Sequence, residues 1–431
     1  MRRTQRLLAI TSAAVMLLGM AACGGGDQTA ADDEQIVIKI QSFSGGFHFD
    51  DGEGGVGLYS EYEKAHPNVK IEETAVASSD DARSAFNTAM ASGTNAFDIY
   101  QADVAWMPSV TAMPDKFVDL EPYAGDDDWL DWKQADATSA DGKLVGAGLD
   151  IGPTALCYRS DLFEKAGLPT DRTEVAEMLG GDNADWETYF NVGQQYYEKT
   201  GLPWFSSIGD SWGVMKAQIE EAYETRDGEI VATSDSIKKK FFQLTDTTDM
   251  SSHIAGWTDD WHAAFSADDG FATTLCPAWL PETMKADTGA DFTGWDVADV
   301  VPGGGANQGG SFLVVPESSP VKEEAAKLAA WLAAPEQQLK SFTVRGQFPS
   351  SVKVASDSAL TTATNDYLND APTGEIFSNR AKAITVAPYR GARYYDIDTK
   401  FNDALNRVDV TQEQTPEEAW DQYVDDVKAL S

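Results

Sequence analysis

From residue 36 the chain alternates, with Ile36, Ile38 and Ile40 on one side and Val37, Lys39 and Gln41 on the other. A period of two predicts a strand. A glycine-rich stretch over 44–57 follows, then a helical run over 58–65 that Pro67 stops; Val69 and Ile71 begin a second predicted strand. Ala82, Ala85, Phe86 and Ala89 share one face of a predicted helix, and 96–100 reads as a third strand. Strand, helix and strand in this order predict a parallel α/β sheet. The rhythm returns later, where Ser319-Pro320 opens a predicted helix with Pro at its first position and Glu323 and Glu324 in its first turn. Its apolar face is Val321, Ala325, Leu328, Ala329 and Leu332.

The N-terminus breaks the pattern. Arg2, Arg3 and Arg6 precede an apolar run over 7–20, which at 14 residues is too short to span ~30 Å of hydrocarbon and fits a secretory signal. Ala21-Ala22-Cys23, three glycines and a polar run resemble a bacterial lipobox and its tether, giving a lipoprotein signal peptide over 1–22, a lipidated Cys23 and a flexible tether over 23–35. The alternative is an ordinary signal peptide cut after an A-x-A-like site. The 431 residues carry 70 Asp and Glu against 32 Lys and Arg, a net charge of −38, which repels phosphate backbones and disfavours nucleic-acid binding. Four scattered His residues leave little room for a metal site, and no glycine cluster fits a phosphate-binding loop, so no cofactor is expected. With Cys23 lipidated, Cys157 and Cys276 remain in an oxidising compartment as an even pair. They are read as one disulfide, with two buried free thiols as the alternative.

Four stretches then resemble the extracellular solute-binding proteins of ABC sugar importers, the class containing maltose-binding protein. They are NAFDIYQADVAWM (95–107), GLDIGPTALCYRSDLFEKAGLPTD (148–171), CPAWLPETM (276–284) and GGSFLVVPESSPVKEEAAKLAAWLAAPEQQ (309–338). The second and fourth are the specific ones. Cys157, Cys276-Pro-Ala-Trp, PGGG and APTGEIF together are most similar to actinobacterial binding proteins for β-linked disaccharides. The resemblance implies an α/β, two-lobe periplasmic-binding-protein-like fold with discontinuous lobes joined by a multi-strand hinge. One lobe is expected at 36–148 plus 298–348 and the other at 149–297 plus 349–431. It also implies a monomer on the extracellular face of the cell membrane, held by its lipid, that captures an oligosaccharide for permease subunits.

A sugar offers hydroxyls at its ring edge and C–H groups on its faces, so a site for it needs polar side chains and flat aromatics. The family motif carries Trp279 over as a stacking residue, and Asp103 as the hydroxyl-binding side chain at a strand end, with Trp106 just after it. Trp212 in GDSWG and Trp257 in GWTDDW are added from their polar surroundings, although packing in the core is the commoner fate of Trp. Asp150 lies at the inter-lobe crossing, Ser44 and Gly45 follow the first strand, and Arg390 in PYRGARYY resembles the segment that faces the cleft. Two other readings compete: a secreted glycoside hydrolase, which needs two carboxylates ~5–9.5 Å apart, and the same fold binding a metal, an anion or another non-sugar solute. No glycosidase motif is present, and Asp126 to Asp128 lack a calcium-loop spacing.

Overall fold

A computed structural model describes residues 35–44, 47–52, 54–93, 96–125 and 129–430. The expected signal peptide, Cys23, the tether up to residue 34, and Gly45 lie outside the described residues. Ten strands are found among the described residues: β1 (Ile36–Phe43), β2 (Val69–Val76), β3 (Ile99–Asp103), β4 (Ala147–Gly148), β5 (Asp150–Ile151), β6 (Thr154–Arg159), β7 (Thr273–Pro277), β8 (Trp295–Ala298), β9 (Ser311–Val314) and β10 (Phe348–Pro349).

The first sheet has the order β2-β1-β3-β9-β4. β1 runs parallel to β2 and β3, with Ile36 opposite Val69 and Ile40 opposite Ile99, as the alternation predicts. The sheet is mixed, however, because β9 lies antiparallel to both β3 and β4. The chain enters β9 from a crossing between lobes and not from a βαβ helix, so nothing forces the parallel sense. Helix Ser79–Ser92 has Ser78 as its N-cap, the hydroxyl accepting from Asp81 N at 3.1 Å, and buries Ala82, Phe86 and Ala89 against the sheet. The helix expected from Pro320 begins later, at Lys322–Leu332. Ser319 Oγ instead donates to the Asp98 carboxylate at 2.7 Å and accepts from Val321 N, which holds a turn ahead of the helix.

The second lobe is built on the antiparallel sheet β7-β6-β8. One apolar cluster joins Ile38, Phe86, Tyr100, Phe312 and Leu328 into the core of the first lobe. Two clusters fill the second, one around Tyr158, Phe163, Trp204, Trp212 and Phe401, the other around Trp261, Phe265, Trp295 and Phe377. The packing departs from the expected boundaries in two stretches. Val300, Val301 and Ala306 pack in the second lobe, because they continue from β8, an edge of its sheet. Phe342 and Phe348 join the second lobe as well, so the second contribution to the core of the first runs from Phe312 to Ala333. No helix of the described residues is long and apolar enough to cross a membrane.

Cys157 on β6 and Cys276 on β7 are bonded, with Cα atoms 5.5 Å apart and both residues fully buried. Ala155 faces Cys276 and Cys157 faces Thr274 in the strand register, so the bond runs diagonally across one antiparallel pair inside the second lobe. It closes a separation of 119 residues. Replacing both residues (Cys157→Ala with Cys276→Ala) is expected to lower stability by about 2–4 kcal/mol. Urea unfolding checks this, and ligand affinity should stay unchanged because the bond moves with one lobe.

Candidate functional site

Three passes of the chain between the lobes meet at one place, at 148–152, 307–311 and 348–350. The first and third pair as β5 and β10, with Asp150 opposite Pro349 and Ile151 opposite Phe348. The first and second are tied by Gly152 N donating to Asn307 Oδ1 at 2.8 Å, and by Gln308 N donating to Gly152 O at 2.9 Å. Contact here is close enough to require glycine. A Cβ on Gly152 would stand 1.8 Å from Gln308 O, and Gly310 has φ +106° with Asp150 O beside it.

Charged groups surround this crossing. Asp150 Oδ1 accepts from Ser311 N at 2.8 Å. Lys133, on helix Asp131–Asp136, is 1% exposed; its Nζ donates to Ser311 O at 3.0 Å and sits 3.6 Å from the Phe312 ring centroid. Asp103, at the end of β3, accepts from Ala105 N at 2.7 Å. Arg390 donates to Asp136 Oδ2 at 3.2 Å, so the guanidinium from the second lobe meets a carboxylate of the first. Burial raises the Asp103, Asp136 and Asp150 carboxyls above the usual carboxylate range, an effect reduced by Arg390 at Asp103 and Asp136 and by Lys133 at all three. Burial likewise pushes the Lys133 ammonium down to about 8, against the attraction of Asp150 and Asp136.

An aromatic wall adjoins these charges. β7 delivers Trp279 just past its end, and the indole Nε1 donates to Gln308 O at 3.1 Å. Trp257 stacks on Trp279, with ring centroids 5.8 Å apart and planes 23° from parallel, and Trp261 backs it at 5.2 Å. Trp257 is 56% exposed and holds φ +67°, an uncommon conformation for a bulky side chain. Two consecutive glycines separate the walls: Gly309 faces the Trp279 indole and Gly310 faces Lys133 Nζ.

The structure brings Asp103, Asp150, Trp257, Trp279 and Arg390 around the crossing. Ser44 is exposed at the carboxyl end of β1, beside the parallel strand β3 that ends in Asp103. Two expectations are corrected. Trp212 is fully buried in the second lobe, donating from Nε1 to Tyr223 Oη at 2.9 Å and stacked 4.2 Å from Phe401. Its neighbours are not a loop but helix Ile208–Ala217, where Ile208, Trp212 and Met215 lie on one buried face. Trp106 is 2% exposed in the core of the first lobe, against Phe86 and donating to Ser79 Oγ at 3.2 Å. Neither ring has a face open to a ligand. Lys133, Asp136 and Gln308 were not anticipated. The short helix DWKQAD gave no periodic signal that Lys133 would be buried and Asp136 half-buried near it. Among the described residues no group of three or more His, Cys, Asp or Glu could hold a metal ion. A groove of about 570 Å³ lies elsewhere on the second lobe, lined by Tyr197, Ser252, His253 and Asp260.

Comparison with known proteins agrees with this architecture. The family of bacterial extracellular solute-binding proteins matches residues 57–367. The arabinooligosaccharide-binding protein of Bacillus subtilis (strain 168) is 26% identical over 312 residues, covering 67% of this chain and 68% of that protein. The crystal structure of an extracellular solute-binding protein family 1 member superposes with a TM-score of 0.80 at 41% identity, covering 91% of this chain and 99% of the other. An ABC transporter associated binding protein from B. animalis subsp. lactis Bl-04, in complex with β-1,6-galactobiose, superposes with a TM-score of 0.74 at 20% identity over 91% of this chain and 96% of that one.

The charge cluster yields a test with a worked sign. Lys133→Met leaves Asp150 buried without its counter-charge and is expected to cost about 3–5 kcal/mol at neutral pH. A carboxyl whose folded pKa is raised holds its proton more tightly in the folded state, so the stability it contributes is present at acid pH and lost as the pH rises through the folded value. The deficit of the variant should therefore shrink as the pH falls through the raised Asp150 value. Urea unfolding of both proteins across pH 4 to 8 reads it; a deficit independent of pH would contradict the assignment.

Proposed function

This chain belongs to the bacterial extracellular solute-binding proteins, a family of binding proteins and not of enzymes, and on that premise we propose that it captures an oligosaccharide for an ABC transporter. The observation that carries this reading is the pairing of two walls at the crossing: stacked Trp257 and Trp279 on one side, and Asp103, Lys133, Asp136 and Arg390 on the other. Flat aromatics cover the C–H faces of a pyranose, while carboxylates and guanidinium groups take its hydroxyls. The binding of arabinooligosaccharides by the Bacillus subtilis relative supports the sugar class. The combined motifs around Cys157, Trp279 and APTGEIF point to a β-linked disaccharide or short oligosaccharide.

The proposed ligand-binding set is Ser44, Gly45, Asp103, Asp150, Trp257, Trp279 and Arg390. Ligand held between lobes 36–148 plus 298–348 and 149–297 plus 349–431 draws them together, and only contacts to both lobes can shift that equilibrium. The packing of Val300, Val301, Ala306, Phe342 and Phe348 with the clusters of the second lobe supports counting them with it. Delivery to the permease follows from the closed form docking on it, with the protein kept near the membrane by acyl chains on Cys23 at ~0.8 kcal/mol per buried CH₂.

Titration calorimetry against cello-, xylo-, malto- and arabino-oligosaccharides should give saturable binding for a β-linked member; heat from none of them would remove the reading. Trp257→Ala should weaken the best sugar by about 1–3 kcal/mol, a scale borrowed from aromatic stacking on nucleobases, with little change in melting temperature because the ring is largely exposed. A parallel test of anchoring is Cys23→Ser, expected to lose the acyl chains, so that any of the variant freed of its signal peptide leaves the membrane fraction.

A further inference from the structure

The second lobe sends one segment, 389–396, across onto the first. On its own side the segment is fixed by Tyr389 N donating to Glu220 O at 2.6 Å and Arg393 N donating to Glu224 Oε2 at 2.9 Å. Tyr394 packs into the core of the second lobe, its ring 5.2 Å from that of Tyr223. The next residue faces the other way. Tyr395 packs against the core of the first lobe, and its hydroxyl donates to Asp80 Oδ1 at 2.6 Å. The Arg83 guanidinium lies 3.6 Å from the centroid of the same ring, and its Nη2 is 3.8 Å from Asp396 Oδ1. Asp80 and Arg83 both belong to helix Ser79–Ser92 of the first lobe. The contact is reciprocal, since Ala105 of the first lobe packs against the core of the second.

We propose that Asp80, Arg83 and Tyr395 form a latch that holds the two lobes together and sets the fraction of molecules in the closed form. The latch rests on the closure reading above, but it shares no residue with the hinge crossings or with the tryptophan pair. That separation defines its role. Hinge hydrogen bonds at 148–152 and 307–311 join adjacent backbone and can persist through a rotation of the lobes. A tyrosine on one lobe can meet an arginine and a carboxylate on the other only while the lobes are together, so the free energy of this contact belongs to the open–closed equilibrium. Its parts suit that task. A guanidinium over an aromatic face and a hydroxyl on a carboxylate are each modest at a partly exposed surface, enough to bias closure without locking it. Asp80, Arg83 and Tyr395 are positioning residues on this account. Apparent affinity scales with the closed fraction, so weakening the latch must weaken every ligand by the same factor.

The test uses Arg83→Met, which keeps the alkyl stem, and Tyr395→Phe, which keeps the ring and removes only the hydroxyl. Small-angle scattering of the sugar-free full-length protein is expected to give a larger radius of gyration for both variants than for the parent, at an unchanged melting temperature. Calorimetry and stopped-flow kinetics on two sugars that bind the parent are expected to show a loss of about 3- to 10-fold, equal for both and carried by faster dissociation. Unchanged scattering overturns the latch, and so does a loss that differs between the two sugars, which would make Arg83 a ligand contact. If no sugar binds the parent, the functional reading falls, and the scattering alone decides the latch.

Discussion

The site depends on how closely three strands pass at the crossing. With no Cβ at Gly152, the carbonyl of Gln308 can lie against the first strand, and the segment 307–311 is then pinned by hydrogen bonds to Gly152 and Asp150. That one segment has a carbonyl turned to each wall. Gln308 O receives the Trp279 indole from the second lobe, and Ser311 O receives the Lys133 ammonium from the first. The hinge and the two faces of the site are therefore one hydrogen-bonded object, and displacing 307–311 would misplace both walls together.

Charge at the crossing is balanced by pairing more than by solvent. Three carboxyls, a lysine and an arginine are taken largely out of water, which costs free energy unless each finds an opposite charge or a backbone partner. Asp150 spends one oxygen on Ser311 N, and Arg390 reaches across to Asp136. The chain as a whole carries −38, yet its site keeps two of its cations buried among acids.

Two tryptophans show how different the outcome can be for one residue type. Trp212 sits on a helix whose buried face repeats at i, i+4 and i+7, so its ring goes into the core. Trp257 sits in the turn before helix Asp259–Ala264, with a left-handed backbone that leaves its ring in the open and flat on Trp279. The polar letters around them look alike in the sequence. What separates them is the period of the apolar positions on either side.

The sequence by itself determined the elements and the kind of fold. Alternation at 36–41 places β1, helical spacing places the buried face of 79–92, and the order of motifs marks two lobes and an aromatic at the end of β7. The strand and the helix are local patterns that local sterics and apolar spacing decide, whereas the two lobes and the aromatic came from the resemblance of the motifs to a family. The even cysteine pair likewise suggested a bond, because redox compartment and count are properties of the chain. Tertiary structure alone decided that Lys133 and Asp136 joined the polar residues at the site. Lys133 and Asp136 lie about 180 residues from Ser311 and more than 250 from Arg390, and no local rule brings such distant residues together. It also decided that β9 would run antiparallel and that 300–306 would stay with the second lobe, since both depend on where the chain crosses between lobes. Burial of a charge is settled by the partner it meets, and that partner is set by the crossing and not by its neighbours in sequence.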